Sequence, residues 1–341
     1  MLLKIRRGVV ILGLFAGALA LTGVPGHAQA EVSEITVATQ YGISYLPLVV
    51  MEHDQLIQKA AAKEGVKNLK VNWLHFSNGA AMNAALLSGT LTFPSGGVGP
   101  LITVWSRTHG NYNVHGVACL NTMPLFLTTT NPKVKSIKDF TTKDRIALPA
   151  VKVSVQAVTL EMAAAKVWGF KHYDKLDSLT VSMSHPEGMA AMLSRHSEID
   201  AHLSSPPFQY EELEHKGVHL VLNSYNVLGG PATFNCVWTT AKFERANPKV
   251  YNAFLTALRE ATTFINAHKA AAAKIYIEQE HSKLSFAFVN GIIHKPGLAY
   301  TIVPKHVMKY ADFMAKVGLI KTKPKSWKEL FFPQIDNLPG S

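Results

Sequence analysis

Ile35-Thr36-Val37-Ala38-Thr39-Gln40-Tyr41-Gly42-Ile43-Ser44-Tyr45-Leu46-Pro47-Leu48 decides how the chain is read. The first five residues are β-branched or small and alternate, as in a half-buried strand. Residues 40–45 read as a turn. A helix is expected over residues 47–63, with Leu48, Met51, Leu56 and Ala60 on one side. The same scheme then repeats. Residues 69–76 alternate as a second strand, 79–88 form a small-residue helix, and Leu91-Thr92-Phe93 is a short third strand. A helix over 100–107 and a strand over 114–120 follow. Strands interleaved with helices of this size imply parallel βαβ units with helices on both sheet faces.

A second block continues the alternation. Residues 145–148 are strand-like, and 154–168 form a long helix uninterrupted by Gly or Pro. Residues 179–183 alternate. Ser184-His185-Pro186-Glu187 then starts a helix running to Arg195, because Ser at the cap and Glu three residues on exchange side-chain-to-backbone bonds. Residues 199–203 are again a strand, followed by Ser205-Pro206-Pro207 and a helix over 208–216. The last third is different. After a strand over 234–239, Asn247-Pro248 is a cap with Pro at the first helical position. An alanine-dense helix over 250–279 follows, then helices over 285–293 and 304–317. Ser326-Trp327-Lys328-Glu329 is another capping box. Two α/β lobes and a helical C-terminal region fit one cleft between lobes.

Composition supports this outline. Of 341 residues 48% are hydrophobic and 17% charged, which allows a packed core and excludes wholesale disorder. Two cysteines exclude a disulfide framework and argue against a multi-cysteine metal site. The net charge is +11. Its lysines are scattered, as at Lys133, Lys135 and Lys138 or Lys321, Lys323, Lys325 and Lys328, without interleaved stacking aromatics. That reads as a solvated surface, and no nucleic-acid partner is expected. A mildly positive field favours anions.

The first thirty residues read as an address. Lys4, Arg6 and Arg7 precede an apolar run over 9–24, and Pro25-Gly26 and Ala28-Gln29-Ala30 follow. This is the pattern of a secretory signal peptide cleaved after Ala30. The run is shorter than the roughly 20 residues of a spanning helix. The expected destination is the periplasm.

Ligands of open α/β sheets bind outside the carboxyl ends of the strands, where helix N-termini present unpaired N–H groups. The turns at those positions supply the candidate ligand-binding residues: Gln40, Tyr41, Gly42 and Tyr45 after the first strand, and Ser77, Asn78 and Gly79 after the second. Ser95, Gly96 and Gly97 follow the third, and Lys152, Ser154 and Ser205 belong to the second block. Ser95-Gly96-Gly97-Val98-Gly99 lacks the residues of a nucleotide motif, but its small side chains let backbone N–H groups approach a compact anion. Lys152 is the one charged candidate; its other reading is a surface lysine. Tyr41, Tyr45 and Trp238 are candidate walls of the pocket, and core packing is the other reading of each. Glu187 reads as a capping residue.

No catalytic residue, metal or cofactor is expected. His215 and His219 are four apart, but Gly217 between them ends the helix, and neither HExxH nor GxSxG occurs. Cys119 and Cys236 are far apart in sequence and read as two buried free thiols, with a disulfide in an oxidising compartment as the other reading.

The mature chain resembles the ABC-transporter substrate-binding proteins of the nitrate/sulfonate/taurine (bicarbonate) type, a superfamily shared with thiamine-pyrimidine synthases. The resemblance rests on the order of several pieces. These are Val37-Ala38-Thr39-Gln40-Tyr41-Gly42 with Tyr45-Leu46-Pro47-Leu48, Ala84-Ala85-Leu86-Leu87-Ser88-Gly89 before Leu91-Thr92-Phe93, and Val134-Lys135-Ser136-Ile137-Lys138-Asp139-Phe140. Glu198-Ile199-Asp200-Ala201, Asn247-Pro248 with its helix, and Gly318-Leu319-Ile320 complete it. Thr92 stands where such proteins usually carry a structural Asp.

The resemblance implies a type II periplasmic-binding-protein-like α/β fold: two lobes joined by crossover strands, with the ligand cleft between them. The first lobe would take residues 31–125 and 236–341, the second 126–235, with crossovers at Leu125-Phe126-Leu127-Thr128 and Phe234-Asn235-Cys236-Val237. It further implies a monomeric receptor that captures a small oxyanion or organosulfonate by hinge closure. The partner is an inner-membrane permease with its ATPase subunit. Two other readings stand beside it: a pyrimidine-like solute of the thiamine pathway, and a ligand sensor on the same clamshell. The cysteine-rich motif of the synthases is absent, which argues against that activity.

Overall fold

Small and β-branched residues at 34–39 form the first strand, and the elements follow in near-regular alternation. The computed structural model describes residues 30–194 and 196–341; the expected leader, but for Ala30, and Arg195 lie outside them. The first half comprises β1 (Glu34–Thr39), α1 (Leu46–His53), α2 (Leu56–Lys63), β2 (Lys70–His75), α3 (Gly79–Leu87), β3 (Ser95–Gly97), α4 (Val98–Thr108), β4 (Val114–Cys119) and β5 (Asn121–Thr122). Then come β6 (Phe126–Thr129), β7 (Ile146–Leu148), α5 (Val155–Trp168), β8 (Thr180–Ser182), α6 (His185–Ser194), β9 (Ala201–Ser204), α7 (Phe208–Glu214), β10 (His219–Asn223) and α8 (Ser224–Leu228). The last third holds β11 (Asn235–Thr240), α9 (Ala241–Ala246), α10 (Pro248–Ala267), α11 (Lys269–Gln279), α12 (Phe286–Ile293), β12 (Ala299–Tyr300), α13 (Val307–Lys316) and α14 (Trp327–Leu330).

Ten of the strands build two sheets, and β5 and β12 form a separate antiparallel pair. In the first, β1 and β2 pair in parallel, and β3, β11 and β4 pair antiparallel with β11 in the middle. A bridge from Val37 to Phe93, with the Ala38 N–H donating to the Phe93 carbonyl and the Phe93 N–H to the Thr36 carbonyl, joins these two parts. The second sheet has the order β10-β6-β9-β7-β8, with β6 antiparallel to both neighbours and β7 parallel to both of its own. Both sheets are therefore mixed, where strand–helix alternation alone implied parallel ones. The antiparallel members β6 and β11 begin at the two segments expected to cross between lobes.

Local signals explain several boundaries. Ser154 caps α5 by accepting from the Ala157 N–H at 3.2 Å, and Asn78 caps α3 by accepting from Ala81 at 3.0 Å. The Ser184–Glu187 pair forms as expected: Glu187 Oε2 accepts from the Ser184 N–H at 3.0 Å and from its hydroxyl at 2.8 Å. Three expectations are corrected. The helix expected over 47–63 is two, broken at Asp54 and Gln55, where Gln55 takes a left-handed φ of 52°. The helix expected over 250–279 is interrupted at His268. The third strand lies at Ser95–Gly97, with Phe93 contributing one bridge, because register with Val237 and Cys236 selects the small residues over the apolar ones before them.

The core runs through the first sheet into the C-terminal helices. Phe93 stacks on Phe254 of α10 with ring centroids 4.1 Å apart and meets Phe243 edge-on at 5.2 Å. Trp238 is fully buried and donates from Nε1 to Asn83 Oδ1 at 3.0 Å, so it packs in the core and is not among the residues lining the cavity described below. Cys119 and Cys236 are buried free thiols on β4 and β11. They lie far apart in sequence but directly opposite in register, with Sγ atoms 3.3 Å apart. Among the described residues no helix is long and apolar enough to cross a membrane.

Candidate ligand cleft

Strand ends and helix starts of both sheets meet at one small cavity of about 20 Å³, room for about one water. The first sheet contributes Gln40, Tyr41 and Tyr45 from the turn after β1, Gly79 at the start of α3, and Gly97 and Pro100 around the start of α4. The second contributes Pro149 after β7, Ser154, Val155 and Gln156 at the start of α5, and His185 at the start of α6. Phe234, just before β11, completes the wall. The N-termini of α3, α4, α5 and α6 thus converge on it, each with unpaired backbone N–H groups and the positive end of the helix dipole. A larger groove of about 950 Å³ between α7 and α12 has no such convergence.

The two sides touch closely. A Cβ added at Gly97 would lie 2.5 Å from Val155 Cγ1, one at Gly99 3.1 Å from the Val153 carbonyl, and one at Gly42 2.8 Å from the Pro206 carbonyl. At Gly97 and Gly42 a side chain would force the neighbour to move, and at Gly99 the fit is tight. Gly42 also has a φ of 113°, which disfavours any side chain.

Of the residues named from sequence, Gln40, Tyr41, Tyr45, Gly79, Gly97 and Ser154 line the cavity. Gly42, Ser95 and Gly96 sit directly behind it: Gln40 Nε2 donates to the Ser95 carbonyl at 3.1 Å, and a Cβ at Gly96 would meet that nitrogen at 2.7 Å. Burial pushes the Tyr45 hydroxyl well above the ordinary tyrosine range, so it stays a neutral donor. Asn78 is spent on capping α3, and Ser77 is exposed. Ser205 is fully buried, its hydroxyl has no partner, and it does not line the cavity.

Lys152 is exposed, adopts a left-handed φ of 64°, and is outside the lining. Its charge acts instead on Asp177 and Glu161. Glu161 is buried on α5 with neither carboxylate oxygen bonded. Burial, followed by Asp177, pushes its pKa up to about 8. The folded value lies above the unfolded one, so stability is full at low pH and falls as pH rises toward 8. Between pH 6 and pH 8 this group removes at most about 2.7 kcal/mol. Urea unfolding of Glu161→Gln should lack that loss; parallel profiles for variant and parent would refute it.

The sequence reading missed Gln156 and His185, which join a buried chain of side chains. Gln156 Nε2 lies 3.1 Å from His185 Nε2, and His185 Nδ1 lies 3.1 Å from His202 Nε2. His202 Nδ1 lies 2.6 Å from Glu212 Oε1. Thr128 and Ser204 donate their hydroxyls to Glu212 Oε2 at 2.6 and 3.0 Å. All six are buried. Burial, then the neighbouring His202, holds the His185 imidazole well below the ordinary histidine range. The signal for His185 was present in its position one residue after the Ser184 cap.

Two mixed α/β lobes with a cleft between them define the fold of the periplasmic binding proteins, and this chain has that fold. It is similar to the alkanesulfonate-binding protein SsuA from Xanthomonas axonopodis pv. citri bound to MOPS, at 17% identity and a TM-score of 0.67, covering 86% of this chain and 96% of that one. Similar too is the periplasmic aliphatic sulphonate binding protein SsuA from Escherichia coli, at 16% identity and TM-score 0.62, with 89% and 92% covered. The periplasmic nitrate-binding protein NrtA from Synechocystis PCC 6803 matches at 13% identity and TM-score 0.65, with 88% and 84% covered. No family model and no curated protein matches the sequence. At these identities the likeness is one of fold.

Proposed function

We propose that this chain is the periplasmic solute-binding receptor of an ABC importer. It captures a small oxyanion or organosulfonate by hinge closure and delivers it to an inner-membrane permease. The lobes would be residues 31–125 with 236–341, and 126–235. One observation carries the reading: four helix N-termini meet at an enclosed cavity whose described lining holds hydroxyl, amide and imidazole groups and no carboxylate. Such a wall stabilises negative charge without a salt bridge. The sulfonate- and nitrate-binding proteins of like fold support the same solute class. A leader of the secretory type supports the location. The protein acts as a monomer without catalysis, the ATP-hydrolysing step belonging to another subunit.

Thermal unfolding of residues 31–341 against alkanesulfonates, taurine, nitrate, bicarbonate, small carboxylates and thiamine-pathway pyrimidines tests this. A ligand at a hundred times its Kd adds about 2.7 kcal/mol, and each kcal/mol raises Tm by roughly 2–4 °C. A shift confined to oxyanions or sulfonates is the expected result. A shift with pyrimidines alone would transfer the site to flat, neutral solutes, for which Tyr41, Tyr45 and Phe234 supply aromatic walls.

A further inference from the structure

With both imidazoles neutral, the hydrogen-bonded chain behind the cavity has one proton order. Glu212 takes three donors, from His202, Thr128 and Ser204, so it acts as a carboxylate and His202 must present Nδ1–H to it. A neutral His202 then offers a lone pair at Nε2, which His185 meets with Nδ1–H. A neutral His185 in turn offers a lone pair at Nε2, filled by the Gln156 amide. In that order every hydrogen points away from the cavity, and Glu212 is the chain's one charge. An anion entering the cavity would face this arrangement at its least favourable.

We propose that binding of a compact oxyanion is coupled to uptake of one proton from solvent at His185 Nε2, with His202 and Glu212 as the positioning residues that set this exchange. The inference rests on the receptor reading above. Protonation puts N–H at the cavity end of His185, and the Gln156 amide turns its oxygen toward it. The chain goes from one net negative charge to none. His185 Nδ1–H keeps its bond to His202, so no other proton moves.

The surroundings leave His185 as the group that responds. From the turn after β1, Tyr41 and Tyr45 line the same cavity as His185, and from α5 so do Ser154 and Gln156. From β9 it meets His202, and from α7 the Phe208 ring, 5.5 Å between centroids, with Glu212 beyond His202. On its own helix, Glu187 is exposed and bonded to Ser184. No lysine or arginine lies among the described lining residues. Burial keeps the imidazole neutral in the free protein, so the proton is available to be gained on binding.

Titration calorimetry of the 31–341 protein with methanesulfonate and with nitrate, in two buffers of different ionisation heat, reads the coupling directly. The expected result is uptake of close to one proton per anion at pH 7 and a Kd that rises up to tenfold per pH unit between pH 6 and pH 8. His185→Gln keeps a polar atom at the cavity without titrating, and should bind with no pH dependence. His202→Asn keeps a donor to Glu212 but breaks the link to His185, and should shift the pH profile. Anion binding with no proton uptake and a flat profile in the parent protein overturns the inference and leaves the receptor reading intact. Binding of neither anion at any pH, with no oxyanion shift in thermal unfolding, overturns both.

Discussion

Replacing His202 by leucine is expected to lower folding stability by about 3–5 kcal/mol, read from urea unfolding at pH 7. The imidazole is fully buried and supplies the 2.6 Å bond to Glu212. Leucine is close in volume, so the loss is mainly electrostatic. It leaves a buried carboxylate held by two hydroxyls, and leaves His185 Nδ1–H without an acceptor. A buried charge stripped of one partner costs far more than the pair contributes in net terms. The double variant His202→Leu/Glu212→Met separates these effects. With both polar partners gone it should recover most of the loss, because the penalty falls on the orphaned carboxylate. A single variant within about 1 kcal/mol of the parent would refute the buried pair.

Gly97→Val is expected to weaken binding of whichever solute shifts Tm by about 100-fold. The Cβ would fall 2.5 Å from Val155 Cγ1 and 2.8 Å from Val155 Cβ, contacts that only a movement of the two sides relieves. Gly97 has a φ of −58°, open to any residue, so the change adds volume without backbone strain. Overpacking of this kind costs about 1–3 kcal/mol, borne only by the closed form. Small-angle scattering should show a larger radius of gyration in the liganded variant than in the liganded parent. Gly291→Ala is the control: it lies in α12 with nothing within 4 Å of the added Cβ, and helix propensity makes it neutral or slightly stabilising. Affinity of Gly97→Val within threefold of the parent would show that the cleft closes without this contact.

Sequence showed the outline of the fold because its signals are local. The alternation at 35–39 and the Ser184–Glu187 box each act within a few residues, and each appears in the structure, whereas the capping residues read at Asn247 and Ser326 start helices without a side-chain cap bond. Breaks without Gly or Pro were not legible: Gln55, with its left-handed backbone, and His268 interrupt helices at exposed positions. The strand β3 was hidden for a related reason. Ser95-Gly96-Gly97 has no strand propensity and owes its conformation to β11, which lies some 140 residues later.

The cavity was partly legible. The rule that ligands sit beyond strand ends led to the turns at 40–45 and 151–156. It did not tell which side chain of the second turn faces inward. The positive charge of Lys152 singled it out, but its left-handed backbone carries it to the exposed side, toward Asp177. The chain of Gln156, His185, His202 and Glu212 joins residues from α5, α6, β9 and α7, and no spacing in one element announces it.

The closeness of Gly97 to Val155 and of Gly42 to Pro206 bears on timing as well as affinity. With no room at the seam, a solute enclosed between the two sides has no exit while they remain together. Its residence time is then the waiting time for the clamshell to part. Two solutes that differ in affinity through their rates of capture would leave at the same rate, and a permease that pries the seam apart would control unloading without touching the solute.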